Sequence, residues 1–124
     1  MTYLIDTNII IDHLRDEKIA TDFLIEIENG NKKGFISVIT EYELLASKRI
    51  PKNELDSIEK LLSLLPSRSV TSRIVREASY FHRKYDTDIA DALIAATAWA
   101  GKAILVTRNI KHFKDIKEVK VQNI

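Results

Sequence analysis

The chain has 124 residues, 45% of them hydrophobic and 30% charged, with only 3 Gly and 2 Pro; this balance predicts one ordered domain, residues 1–124, and excludes a disordered or linker-rich chain. It contains no cysteine, which rules out disulfides, thiolate metal ligands and cysteine nucleophiles together and accords with a reducing compartment. The formal net charge of +1 decides nothing about partners by itself.

Tyr3-Leu4-Ile5 is an apolar run that ends in Asp6-Thr7-Asn8, residue types that favour caps and turns. It predicts a buried strand feeding a helix capped by Thr7 or Asn8, with Ile9, Ile10, Ile11 and Leu14 along it. A second helix carries Ile19, Phe23 and Ile27 on one stripe until Asn29-Gly30 stops it. Phe35-Ile36-Ser37-Val38 predicts the next strand, and Thr40 opens a helix holding Tyr42, Leu44 and Leu45. After Pro51, Leu55, Ile58, Leu61, Leu62 and Leu65 recur at helical spacing up to Pro66.

Ser69-Val70 is too short to assign, but residues 71–85 read as an amphipathic helix with Ile74, Val75, Ala78 and Phe81 on one side. In the segment DTDIADALIAATAWAG, one of Asp86, Thr87 and Asp88 caps a helix that ends at Gly101. Its many alanines allow close approach to neighbours, so a central position is expected. Ala103-Ile104-Leu105-Val106 is the pattern of a strand covered on both faces, and Val119-Lys120-Val121 predicts a final edge strand. Strands separated by helices predict an α/β fold with a parallel sheet between helical layers. No apolar run approaches the roughly 20 residues that span a bilayer, and the N-terminus lacks the pattern of a secretory signal. A soluble, cytoplasmic protein is expected.

Ligands of an open parallel sheet bind beyond the carboxyl ends of its strands. Asp6 follows a predicted strand directly, where an ionised carboxylate needs a helix N-terminus, a basic partner or a cation to offset desolvation. Read alone, Asp6 is equally a helix cap, and Glu43 an ordinary helix glutamate. Asp91 lies three residues after Asp88 and faces the same way, so that pair can be a cap and a residue favoured by the dipole. Together, Asp6, Glu43 and Asp91 fall in opening turns that a parallel topology brings to one edge. Three converging carboxylates call for a cation, and an all-oxygen donor set selects Mg²⁺ or Mn²⁺ over zinc.

The segments LIDTNIIID, SVITEYELL and DIADALIAATAWAGKAILVTRNIKHF, in this order and spacing, resemble the PIN-domain family and, within it, the VapC toxins of toxin–antitoxin pairs. The resemblance spans almost the whole chain. It implies a three-layer α/β/α sandwich and a Mg²⁺- or Mn²⁺-dependent endoribonuclease that hydrolyses RNA by in-line attack of water, leaving 5′-phosphate and 3′-hydroxyl ends. The family's acids match Asp6, Glu43 rather than Glu41, and Asp91, with Thr7, Asn8 and Thr107 as supporting hydroxyl and amide groups. Where many members carry a fourth acid, this chain reads Thr107-Arg108-Asn109 and His112. Asn109 is an uncharged candidate for that role, and one cation is easier to support than two. The resemblance further implies a homodimer and a cognate antitoxin that places a basic side chain among the carboxylates.

Charge is distributed unevenly: residues 1–65 hold 8 Lys/Arg against 12 Asp/Glu, and residues 66–124 hold 11 against 6. A phosphate-binding side produces such asymmetry, and so does a solvated helix face. Arg108, Lys111 and His112, or the arginines between residues 68 and 83, are candidate RNA phosphate contacts. Tyr42, Tyr80, Tyr85 and Trp99 read as core or dimer packing before base stacking. Two competing readings stand beside the nuclease. One is a catalytically degenerate PIN fold that binds RNA or protein; the other is a phosphatase or response-regulator-like α/β domain with Asp6 as phosphate acceptor, which leaves the SVIT and ALIAATA segments without a role.

Overall fold

The structure, a computed structural model, describes all of residues 1–124. Five parallel strands form the sheet: β1 (Thr2–Ile5), β2 (Lys33–Ser37), β3 (Ser67–Arg68), β4 (Ile104–Val106) and β5 (Val121–Gln122), in the spatial order β3-β2-β1-β4-β5. The helices are α1 (Thr7–Leu14), α2 (Lys18–Glu28), α3 (Val38–Ala46), α4 (Leu55–Leu64), α5 (Ser72–Tyr85), α6 (Ile89–Ala100) and α7 (Ile110–Phe113).

The pleat sorts the strand residues into two cores. Leu4 pairs with Phe35 on one side and Leu105 on the other, and all three point into a core shared with Ile74, Ala78, Phe81, Ala92, Ala95 and Phe113. Ile5, Ile36 and Val106 point the opposite way, among Ile9, Ile10, Phe23, Leu24, Leu44 and Ile58. Helices α5, α6 and α7 therefore cover one face, and α1 to α4 the other, which is the three-layer α/β/α sandwich. On α6, residues Ala92, Ala95, Ala96 and Ala98 are buried, and their small side chains let α5 lie close. No helix is long and apolar enough to cross a membrane.

The order of strand addition reverses beside β1: β2 and β3 are laid down on one side of it, β4 and β5 on the other. The carboxyl ends of β1 and β4 flank this switch point, the place where open α/β sheets bind ligands. Asp6 follows β1, Thr107 follows β4, and the Asp6 amide donates to the Val106 carbonyl at 3.0 Å.

The structure settles several local boundaries, bearing out some expectations and correcting others. Asp6, rather than Thr7 or Asn8, caps α1, because its carboxylate accepts from the Thr7 amide. The second strand ends at Ser37, whose hydroxyl caps α3 by accepting from the Ile39 amide, so that helix begins at Val38 instead of Thr40. Asp86 terminates α5 in the left-handed region, leaving Asp88 to cap α6. Gly30, at φ +79°, lies just past α2 where a side chain would be strained. Edge strand β3 is at Ser67–Arg68, and the last strand is Val121–Gln122, two residues later than its apolar pattern suggests. The inward stripes are narrower than predicted: Ile19, Tyr42, Leu45 and Val75 are all exposed.

Candidate active site at the strand ends

Asp6 is 7% exposed and its carboxylate is well supplied with donors. Oδ1 accepts from the Thr7 amide at 2.8 Å; Oδ2 accepts from Thr107 Oγ1 at 2.7 Å and from Asn8 Nδ2 at 3.3 Å. Thr107 Oγ1 in turn accepts from Asn8 Nδ2 at 3.1 Å and from the Asn109 amide at 3.0 Å. The hydroxyl's single proton thus goes to Asp6 while both its lone pairs are used, which fixes the orientation of the carboxylate. Burial nonetheless pushes the Asp6 carboxyl above its ordinary range, outweighing these hydrogen bonds and the favourable His112 charge.

Glu43 projects from the second turn of α3. Thr7 Oγ1 donates to Glu43 Oε1 at 2.7 Å and lies 3.1 Å from Thr40 Oγ1, a fully buried hydroxyl. Its carboxyl is also raised: burial is the larger cause, opposed by Thr7, with the charges of Asp6 and Asp88 adding to it. Asp91 sits in the first turn of α6, where its amide donates to Asp88 Oδ1 at 2.9 Å and its Oδ2 lies 3.0 Å from His112 Nδ1. Burial first and the Asp88 charge second push Asp91 up to about 6, with Asp6 and Glu43 adding and His112 opposing.

Asp6, Glu43 and Asp91 therefore lie within mutual electrostatic reach, brought there from β1, β2–α3 and α6. Asp88 joins them, which its capping role concealed in the sequence. The donor set suits a hard divalent cation: carboxylate oxygens only, crowded enough to resist ionising together. Each acid is at present held by its own protein partner, and no three of these side chains meet at ligand distance around one point.

Other residues singled out in the sequence are distributed around this cluster. Asn109 is exposed at the start of α7, engaged through its amide with Thr107. Lys111 and His112 line a pocket with Asp88, Asp91 and Thr87. Arg108 is turned toward α1, paired with Asp12. Arg68 and Arg73 lie elsewhere, stacked over Phe35 and Trp99 at 4.1 and 5.0 Å, and Arg68 reaches toward Gly101 at the far end of α6 from Asp91. Sequence patterning could not separate these arginines from Arg108, because each is a cation on an amphipathic or loop segment.

The raised carboxyls carry a stability consequence. Asp91 has a folded value near 6 against an ordinary 3.8, so between about pH 4 and 6 the folded chain binds more protons than the unfolded one. Stability then falls as pH rises through that window. In metal-free buffer, Asp91→Asn should melt close to wild type at pH 4 and roughly 4–8 °C above it at pH 7. A constant difference across that range would contradict the crowding.

A family model described as the PIN domain matches residues 3–119. Ribonuclease VapC19 of Mycobacterium tuberculosis is 38% identical over 115 residues, covering 89% of this chain and 90% of that protein. Ribonuclease VapC10 of the same organism is 30% identical over 122 residues, covering 94% and 90%. Among solved structures, VapBC2 from Rickettsia felis, bound to a DNA fragment from its promoter, superposes with a TM-score of 0.86 at 26% identity over 100% of this chain and 99% of that one. A toxin–antitoxin complex from Klebsiella pneumoniae gives 0.80 at 27% identity, with 94% of each chain covered.

Proposed function

This chain belongs to the PIN-domain family, and from that premise we propose that it is a Mg²⁺- or Mn²⁺-dependent endoribonuclease, the toxin of a VapBC-type pair. The observation that carries the reading is the convergence of Asp6, Glu43 and Asp91 at the β1/β4 switch point, each with its carboxyl raised by burial, to which neighbouring acids add at Glu43 and Asp91. Asp6, Glu43 and Asp91 would hold the cation. When bound, it supplies a lower pKa for water, charge against the phosphoryl oxygens and a fixed line of attack.

The remaining work falls to the chain's own groups. Thr107 and Asn8 fix Asp6, and Thr7 fixes Glu43, so that two carboxylates are oriented before RNA arrives. His112, 3.0 Å from Asp91 Oδ2 through Nδ1, would be a donor to a phosphate oxygen at this site. Lys111 lines the same pocket. A cognate antitoxin and a homodimer accord with the toxin–antitoxin complexes among the solved relatives.

One observation favours a second reading, a PIN fold that binds RNA or protein without cutting: the fourth acidic position of the family carries no carboxylate here, where the chain reads Thr107-Arg108-Asn109 and His112. The two separate on cleavage of a mixed panel of structured and single-stranded RNAs with Mg²⁺, with Mn²⁺ and with EDTA. Metal-dependent cutting supports the nuclease. No cutting under either metal supports the binding module.

A further inference from the structure

Arg108 is the basic residue whose backbone is tied most directly to the carboxylate network. Its amide donates to Asn8 Oδ1 at 3.1 Å, and the other end of that same side chain, Nδ2, donates to Asp6 Oδ2 and Thr107 Oγ1. Its guanidinium Nε meets Asp12 Oδ2 at 2.5 Å; the Asp12 side chain is only 13% exposed, whereas that of Arg108 is 51% exposed. Asp12 lies six residues beyond Asp6 on the helix that Asp6 caps, a rise of about 9 Å at 1.5 Å per residue. Glu17 and Ile9 line the same hollow beside the pair.

A largely buried carboxylate whose closest contact is Nε restricts where the exposed guanidinium can swing, and the terminal Nη groups, further from it, can donate elsewhere. Directed forks of this kind bind phosphate oxygens, while a freely rotating cation contributes charge without direction. We propose that Arg108 contacts an RNA phosphate beside the scissile one and that Asp12 is the positioning residue that aims it. The inference rests on RNA being the substrate of the carboxylate site. It assigns a function to Asp12, a residue with no place in the carboxylate cluster, and it makes the ion pair more than a tether between α1 and the loop after β4.

The sign of one effect separates positioning from simple electrostatics. Removing the Asp12 carboxylate deletes a negative charge near the RNA path, so charge alone makes Asp12→Asn bind RNA more tightly. Positioning makes it bind more weakly. Affinity for a fluorescent single-stranded RNA oligomer is measured in EDTA across a series of salt concentrations for wild type, Arg108→Gln, Asp12→Asn and the double variant. Arg108→Gln should weaken binding roughly 3- to 10-fold and reduce the salt slope by about 0.7. Asp12→Asn should weaken it as well, and the double variant should match Arg108→Gln alone.

Tighter or unchanged binding by Asp12→Asn overturns the assignment, as does an unchanged salt slope in Arg108→Gln. Thermal melts accompany each variant, and Arg108→Gln, at an exposed position, keeps the test decisive if Asp12→Asn unfolds. Because the readout is binding, the two readings fail separately. A wild type showing this pattern but cutting no RNA removes the nuclease and keeps the pair; one that cuts while Asp12→Asn binds more tightly does the reverse.

Discussion

Asp6→Asn is expected to lower metal-dependent RNA cleavage by about 10³-fold or more while leaving the fold intact. Asparagine is as good a helix cap as aspartate, so α1 should still start at Thr7 with its amide satisfied. What is lost is the charge of a carboxylate that is 7% exposed, together with one acceptor. The new amide nitrogen can take only the place of Oδ1, facing the Thr7 amide, or of Oδ2, facing the donors Thr107 and Asn8. Either way a donor confronts a donor, and the network that aims the site is disturbed as well as discharged. Asp91→Asn tests the same idea from α6 without touching that network. Initial rates with Mg²⁺ and Mn²⁺, alongside circular dichroism melts, read the two effects separately. Equal cutting by wild type and Asp6→Asn would sink the carboxylate assignment whatever the family.

The fold and the acid positions were legible for the same reason: both are written in short-range pattern. Alternation at Leu4-Ile5, Phe35-Ile36 and Leu105-Val106 assigns each residue to a face, and a parallel sheet then requires Asp6, Glu43 and Asp91 to emerge at one edge. Strand and helix boundaries were less legible where one residue serves two purposes. Asp6 ends a strand, caps a helix and holds a cluster; Asp88 caps α6 and charges its neighbours; Ser37 closes β2 and opens α3. Thr40 reads as a helix opener because threonine favours caps, yet its hydroxyl is buried against Thr7. The Asp12–Arg108 pair, 96 positions apart in sequence, has no local signature at all. Long-range polar contacts depend on side-chain direction, and hydrophobic periodicity carries no information about it.

Phe81→Ala is expected to cost about 3–5 kcal/mol, the range for truncating a buried aromatic. Phe81 is fully buried in the core between α5, α6 and the sheet, with Tyr80 and Tyr85 rings at 5.9 and 6.2 Å. The core it shares with α6 includes Ala92, Ala95 and Ala96, which have no rotamers with which to fill a cavity. The very feature that lets α5 approach α6 closely therefore prevents the site from relaxing. Against a total stability of roughly 5–15 kcal/mol, the loss should lower the melting temperature by roughly 10–20 °C. Reversible denaturant unfolding gives the free energy directly, and a cost below about 1 kcal/mol would mean that the α5–α6 layer is loosely packed. The consequence reaches the site through one helix. Because α6 begins at Ile89 and presents Asp91 in its first turn, a core that stays rigid there is what holds Asp88 and Asp91 against Asp6 and Glu43 despite their repulsion. Loosening that layer should let the acids separate, so the upward displacement of Asp91 should shrink in Phe81→Ala even at temperatures where the variant remains folded.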